Sequence, residues 1–162
     1  MDNNKPSTEQ QLIRRLLESH RTVATAESCT GGLIAKRLTD IPGSSGVFPG
    51  GAVTYTNEMK MRLLNVSEQS IAEHTEVSAA VAAEMAKGAR ALFGTTYGVS
   101  TTGYAGPGGG TPDEPVGTVY IGMSSEAGEQ VVRISCPSSD TRDAVRNAAA
   151  DKALQMLLSM LE

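Results

Sequence analysis

Two cysteines, Cys29 and Cys136, and two histidines, His20 and His74, are all that 162 residues hold of either type. That is too few for a disulfide framework or a four-ligand zinc site, so no structural metal is expected. Apolar runs are short as well. None approaches the roughly 20 residues that span a bilayer, and the polar N-terminus MDNNKPSTEQ has no apolar signal core. The expectation is a cytoplasmic protein with no membrane partner. Excess positive charge is also missing: the formal net charge is -4, the pI is near 5.2, and Lys and Arg are scattered among acids. Such a chain leaves no electrostatic footprint for nucleic acid.

What is present suits one compact domain over residues 1–162, since 40% of the residues are hydrophobic and no repeat or linker interrupts them. Ser7-Thr8-Glu9-Gln10 has the spacing of a capping box, and Leu12, Ile13, Leu16 and Leu17 then recur on one face, predicting a helix over 8–20. Period-two alternation predicts a strand over 22–26, followed after Gly31-Gly32 by a helix that stops near Asp40. A strand over 51–56 precedes a short helix that Asn57 is expected to cap, and a second short helix follows the break at 65–67. Ser78 is expected to cap a long Ala-rich helix ended by Gly94.

Residues 97–102 then read as a strand, and "GYAGPGGGTPDEP" over 103–115 as a loop. Residues 116–123 and 130–136 read as an antiparallel hairpin turning near Gly128. Asp140-Thr141 opens a last helix whose apolar stripe runs from Val145 to Leu161. Alternating strands and helices imply parallel pairing and the late hairpin adds antiparallel edges, which together predict an α/β fold, a three-layer α/β/α sandwich with a mixed sheet. Ligands of such sheets collect at the carboxyl ends of strands, where Ser28-Cys29, Tyr55 to Asn57 and Thr102-Gly103 fall.

"TAESCTGG", residues 25–32, sets a serine and a thiol at the entrance to a helix, where unpaired amides favour negative charge. Ser28 is either a nucleophile or, with Thr30, a helix cap; spacing alone does not decide between them. Cys29 is the rival nucleophile, or a small buried hydrophobe, and no motif directs His74 at it. There is no Gly-x-Ser-x-Gly elbow, which leaves Lys60 as the candidate base. Lys60 shares a helical face with Asn57, and burial there would lower its pKa; the alternative is a solvated lysine. The glycine loop lacks the Gly-Lys-Ser/Thr ending of a phosphate-binding P-loop, and Gly31-Gly32 is no dinucleotide fingerprint. Arg142 and Arg146, one turn apart, are either a phosphate site or surface ion pairs.

Taken together, "TAESCTGGLIAKRLTDIPGSS", "GGAVTYTNEMKMRLLNV", "VSTTGYAGPGGGTPDEPVGTVYIG" and "DTRDAVRNAAADKAL" closely resemble the CinA C-terminal family, the nicotinamide mononucleotide amidohydrolases, over residues 8–160. The family's large N-terminal domain has no counterpart in the chain, as in stand-alone members. The resemblance implies hydrolysis of the carboxamide of nicotinamide mononucleotide to nicotinate mononucleotide and ammonia. It implies Ser28 as nucleophile and Lys60 as base, with Tyr55 beside them in a catalytic role. Thr30, Gly31, Asn57, Thr102, Gly103, Gly106 and Arg142 are the implied substrate-binding positions. Thr102 stands where some relatives carry serine and keeps the hydroxyl.

The chemistry so implied needs no metal and no organic cofactor. Its partner is a small nucleotide, and a homodimer or higher homo-oligomer is the family-based expectation. Two rival readings accompany it. One is a non-catalytic nucleotide-sensing or partner-binding module with the same pocket, and the other is an amidase for a different carboxamide, because pocket shape sets the substrate.

Overall fold

A computed structural model describes residues 5–162. The elements run α1 (Thr8–Ser19), β1 (Val23–Glu27), α2 (Leu33–Thr39), β2 (Gly50–Val53), α3 (Asn57–Leu64), α4 (Glu68–His74), α5 (Ala79–Phe93), β3 (Tyr97–Gly103), β4 (Thr118–Ser125), β5 (Gly128–Ser135) and α6 (Arg142–Ser159). The five strands form one sheet in the order β2-β1-β3-β4-β5. β1 pairs parallel with β2 and β3, while β3–β4 and β4–β5 are antiparallel. The expected mixed sheet between helical layers is therefore what forms.

Strand alternation divides the core in two. Val23, Val99, Val119, Ile121 and Met123 pack with Leu12, Leu16, Ile34, Leu38 and the α6 residues Val145, Ala149 and Leu157 on one face. Ala24 and Ala26 pack on the other with Leu64, Val81, Met85 and Ala89. Small side chains on that second face let α5 lie close to the sheet. A Cβ on Gly98 would stand 2.0 Å from the carbonyl oxygen of Ala86, so no larger residue fits without displacing the helix. No helix among the described residues is long and apolar enough to cross a membrane.

Local signals mark helix starts well. The Ser7 and Gln10 capping box forms, and the Ser78 side chain accepts from the amide of Val81. α1 ends one residue short of the expected boundary because His20 turns into the left-handed region. β2 stops at Val53, well before Thr56, because the chain leaves the sheet to start α3. Thr56, not Asn57, caps that helix by accepting from Met59, and Asn57 becomes its first residue. β4 and β5 are shifted relative to expectation, to Thr118–Ser125 and Gly128–Ser135. Ser125 pairs with Gly128 across a two-residue turn, which draws both into the ladder. Thr141 caps α6, which ends at Ser159, short of Leu161.

Candidate active site

β1 carries Ala24 and Ala26 on the face covered by α3 and α5, and the same parity sends Glu27 to the opposite face, toward α2. Glu27 is buried and occupies the start of that helix. Its carboxylate accepts from the amides of Ile34 at 2.8 Å and Ala35 at 3.0 Å and from the hydroxyl of Thr30 at 2.7 Å. Neither Ser28 nor Thr30 caps α2, whose N-cap residue Gly32 has no side chain to offer. The cap role that competes for Ser28 in the sequence is thus filled by its neighbour.

Freed from capping, the Ser28 hydroxyl meets Lys60. The Lys60 side chain is only 1% exposed, yet its Nζ donates to Ser28 Oγ at 3.0 Å and to the carbonyl of Thr54 at 3.0 Å. α3 begins three residues beyond Thr54, so its first turn carries Lys60 back over the end of β2. Burial pushes the Lys60 amine below the ordinary lysine range, while the charge of Glu76 pulls it part of the way back up. No ion pair compensates it among the described residues. Lys60 is the buried lysine of the sequence expectation, and the solvated alternative is excluded. Cys29 is buried in the core, and burial pushes its thiol up to about 12. It stays a protonated thiol near neutral pH, which weighs against it as a nucleophile.

An open cavity of about 250 Å³ surrounds this pair. Tyr55, Asn57, Thr102, Gly103, Gly106 and Arg142 line it, together with Glu76 and Tyr104. Tyr55 is 59% exposed at the rim, and its hydroxyl accepts from Arg142 Nη2 at 2.7 Å. Arg142 Nη1 donates to the carbonyl of Gly106 at 2.7 Å, so one guanidinium spans the rim between the β2–α3 and β3–β4 loops. The buried Thr102 hydroxyl donates to the carbonyl of Glu76 at 2.6 Å. The amides of Cys29 and Thr30 donate to no protein acceptor among the described residues.

Thr30 and Gly31 are not among the residues lining the cavity. The Thr30 side chain belongs to the α2 face of the sheet, where its hydroxyl lies 2.7 Å from Thr101 Oγ1 as well as from Glu27. Gly31, at φ 58°, lies under Arg146; a Cβ there would stand 2.8 Å from Arg146 Nη2. That guanidinium donates to the Thr30 carbonyl at 3.0 Å, so Arg146 braces the turn instead of joining Arg142 at the rim. Glu27 and Tyr104 lie inside the quoted segments at 25–32 and 103–115 without a role read for either, and Glu76 lies outside every quoted motif. Strand parity alone would have placed Glu27 opposite Ala24 and Ala26.

The CinA C-terminal domain model matches residues 5–161. A CinA-like protein of Myxococcus xanthus is 51% identical over 147 residues, covering 90% of this chain and 34% of the relative. One from Chlorobaculum tepidum is 54% identical over 126 residues, covering 78% and 30%. The chain thus spans about a third of the length of these curated relatives. Among solved structures, the competence/damage inducible protein CihA of Agrobacterium tumefaciens superposes with a TM-score of 0.88 at 36% identity, covering 99% of this chain and 100% of that one. A CinA superfamily protein of Enterobacter cloacae gives 0.91 at 27% identity, covering 100% and 96%. Matched from its first helix to its last, the chain belongs to the CinA C-terminal domain family.

Proposed function

We propose that this chain hydrolyses the carboxamide of nicotinamide mononucleotide to nicotinate mononucleotide and ammonia, with Ser28 as nucleophile and Lys60 as its base. The observation that carries the chemistry is the buried Lys60 amine held 3.0 Å from Ser28 Oγ. The choice of mononucleotide rests on the resemblance of the chain's motifs to the amidohydrolases. As a free amine, Lys60 keeps an N–H for the Thr54 carbonyl and turns its lone pair to the Ser28 hydroxyl. It takes the Ser28 proton as Oγ bonds to the amide carbon, and the amide of Cys29, a cavity residue whose N–H has no protein acceptor among the described residues, is assigned to the resulting oxyanion. The Lys60 ammonium returns that proton to the departing nitrogen, which leaves as ammonia. Lys60 then deprotonates a water that attacks the ester and passes that proton to Ser28, and the acyl group departs as a carboxylic acid that loses its remaining proton to solvent.

Arg142 uses one bond each from Nη1 and Nη2 at the rim, leaving other guanidinium donors for a phosphate. Tyr55, accepting from Arg142, keeps its phenolic proton to donate to the substrate. Thr102, Gly103, Gly106 and Asn57 shape the walls.

The deciding experiment incubates the protein with nicotinamide mononucleotide and measures ammonia, alongside Lys60→Arg. Arginine keeps the charge and cannot deprotonate near neutral pH, so kcat is expected to fall by at least about a hundredfold with the mononucleotide Kd changed little. A Lys60→Arg protein with near-native turnover rules out the Ser-Lys mechanism. Binding without turnover by the native chain favours the sensing module, and ammonia from another carboxamide alone favours the different amidase.

A further inference from the structure

Glu76 lies in the link between α4 and α5, and the chemistry above makes no use of it. It lines the cavity with Ser28, Lys60, Thr102 and Tyr104. Its backbone is held on both sides: Thr102 donates to its carbonyl, and Ser78 Oγ donates to the carbonyl of Thr75 at 2.9 Å. Thr75 has φ 65° and ψ 168°, a region essentially reserved for glycine and a poor one for a β-branched residue. Backbone in such a conformation persists only where its surroundings over-determine it, and such places cluster at functional sites. Among the described residues the Glu76 carboxylate has no hydrogen-bond or ion-pair partner, although Lys60 and Tyr104 both feel its charge.

A lone carboxylate beside a base that must act as a free amine opposes the chemistry, because it holds the ammonium form. A cationic ligand removes that opposition. The nicotinamide ring, once joined to ribose, is a pyridinium, and Tyr104, which lines the cavity with Glu76, carries the kind of aromatic ring that attracts such a cation. We propose that Glu76 is the specificity residue for ring charge: with Tyr104 it receives the pyridinium, and this pairing withdraws its support for protonated Lys60 as the substrate seats. The inference rests on the nicotinamide mononucleotide reading. The titratable groups that line the cavity with Lys60 are Cys29 after β1, Tyr55 after β2, Glu76 before α5, Tyr104 after β3 and Arg142 at the start of α6. Glu76 is the carboxylate among them.

The test uses Ser28→Ala, which removes turnover, and Ser28→Ala/Glu76→Gln. Each is titrated with nicotinamide mononucleotide and with its reduced 1,4-dihydropyridine form, which keeps the carboxamide, ribose and phosphate but has a neutral ring. The Ser28→Ala protein is expected to prefer the charged ring by roughly tenfold, and Glu76→Gln to erase most of that preference. A second readout is the pH profile of Glu76→Gln with Ser28 intact. The limb of kcat/KM that reports free Lys60 moves to lower pH, while that of kcat moves little, because the ring already neutralises Glu76 in the complex. An unchanged preference between the two ligands, or kcat and kcat/KM limbs that shift equally, overturns the proposal while leaving the amidase reading in place. A native chain that neither binds nor hydrolyses the mononucleotide overturns both.

Discussion

Ser28, Cys29 and Lys60 show how three neighbouring groups are given different work by burial and direction alone. Cys29 is buried and its thiol is driven up to about 12, which suits packing better than attack. Ser28 keeps 8% of its surface at the cavity and holds the lysine amine. Ser28→Ala is therefore expected to abolish ammonia release with the thermal unfolding midpoint nearly unchanged. Cys29→Ala should retain substantial activity and lose stability by about 1–2 kcal/mol from the vacated core space. Ammonia assays and thermal melts on both variants check this, and an active Ser28→Ala with a dead Cys29→Ala would reverse the assignment. The nucleophile was legible in the sequence only down to a choice, because cap and catalyst use the same residue type at the same place. Direction, which comes from strand parity, takes Ser28 out of the cap role and sets it against Lys60.

Glu27 is the hidden member at the level of elements. α2 is seven residues long and begins behind a glycine N-cap with no side chain, too short to stand by its own propensity. The Glu27 carboxylate, seven and eight residues before the amides it binds, serves as its cap. A cap at that separation violates the local spacing that capping patterns rely on, so the sequence gives no sign of it. By contrast, the caps at Ser7 and Ser78 were legible because each lies within three residues of its partner. The β2 boundary was not, since Val53 to Thr56 has strand-like composition throughout and only the demands of α3 end the strand. Glu27→Ala should leave the Ile34 and Ala35 amides without their acceptor and cost about 2–4 kcal/mol, measured by urea unfolding. Glu27→Gln keeps one carbonyl oxygen and should cost less. A Glu27→Ala protein within about 0.5 kcal/mol of native would mean that water replaces the carboxylate at the helix start.

At the scale of the whole molecule, the parallel trio β2-β1-β3 delivers three loops to one end of the sheet, and α6 returns to place Arg142 across them. The sequence showed the three strand ends because parallel α/β sheets gather ligands there. It did not show Glu76, which arrives from the α4–α5 link through packing alone. An assembly that buries a lysine without an ion pair bears a cost throughout the fold, and the sign of that cost fixes its pH dependence. Lys60 has a native pKa below its unfolded value of about 10.5, so the unfolded chain holds this proton more tightly. Below the native pKa both states are protonated, and the full penalty of burying the ammonium is present. As pH rises from the native pKa toward the unfolded one, the folded chain sheds the proton first, and the stability contributed at this site increases. Lys60→Met removes the titrating group while keeping a long unbranched side chain. The unfolding free energy of native protein minus that of Lys60→Met should therefore rise from pH 7 to pH 10, a difference in which the titration of Tyr104 and Tyr120 cancels to the extent that their surroundings are kept. Urea denaturation at intervals of one pH unit measures it. A difference that stays flat across that range would mean that Lys60 titrates alike in the folded and unfolded chain, and would take away the physical basis for its acting as a base.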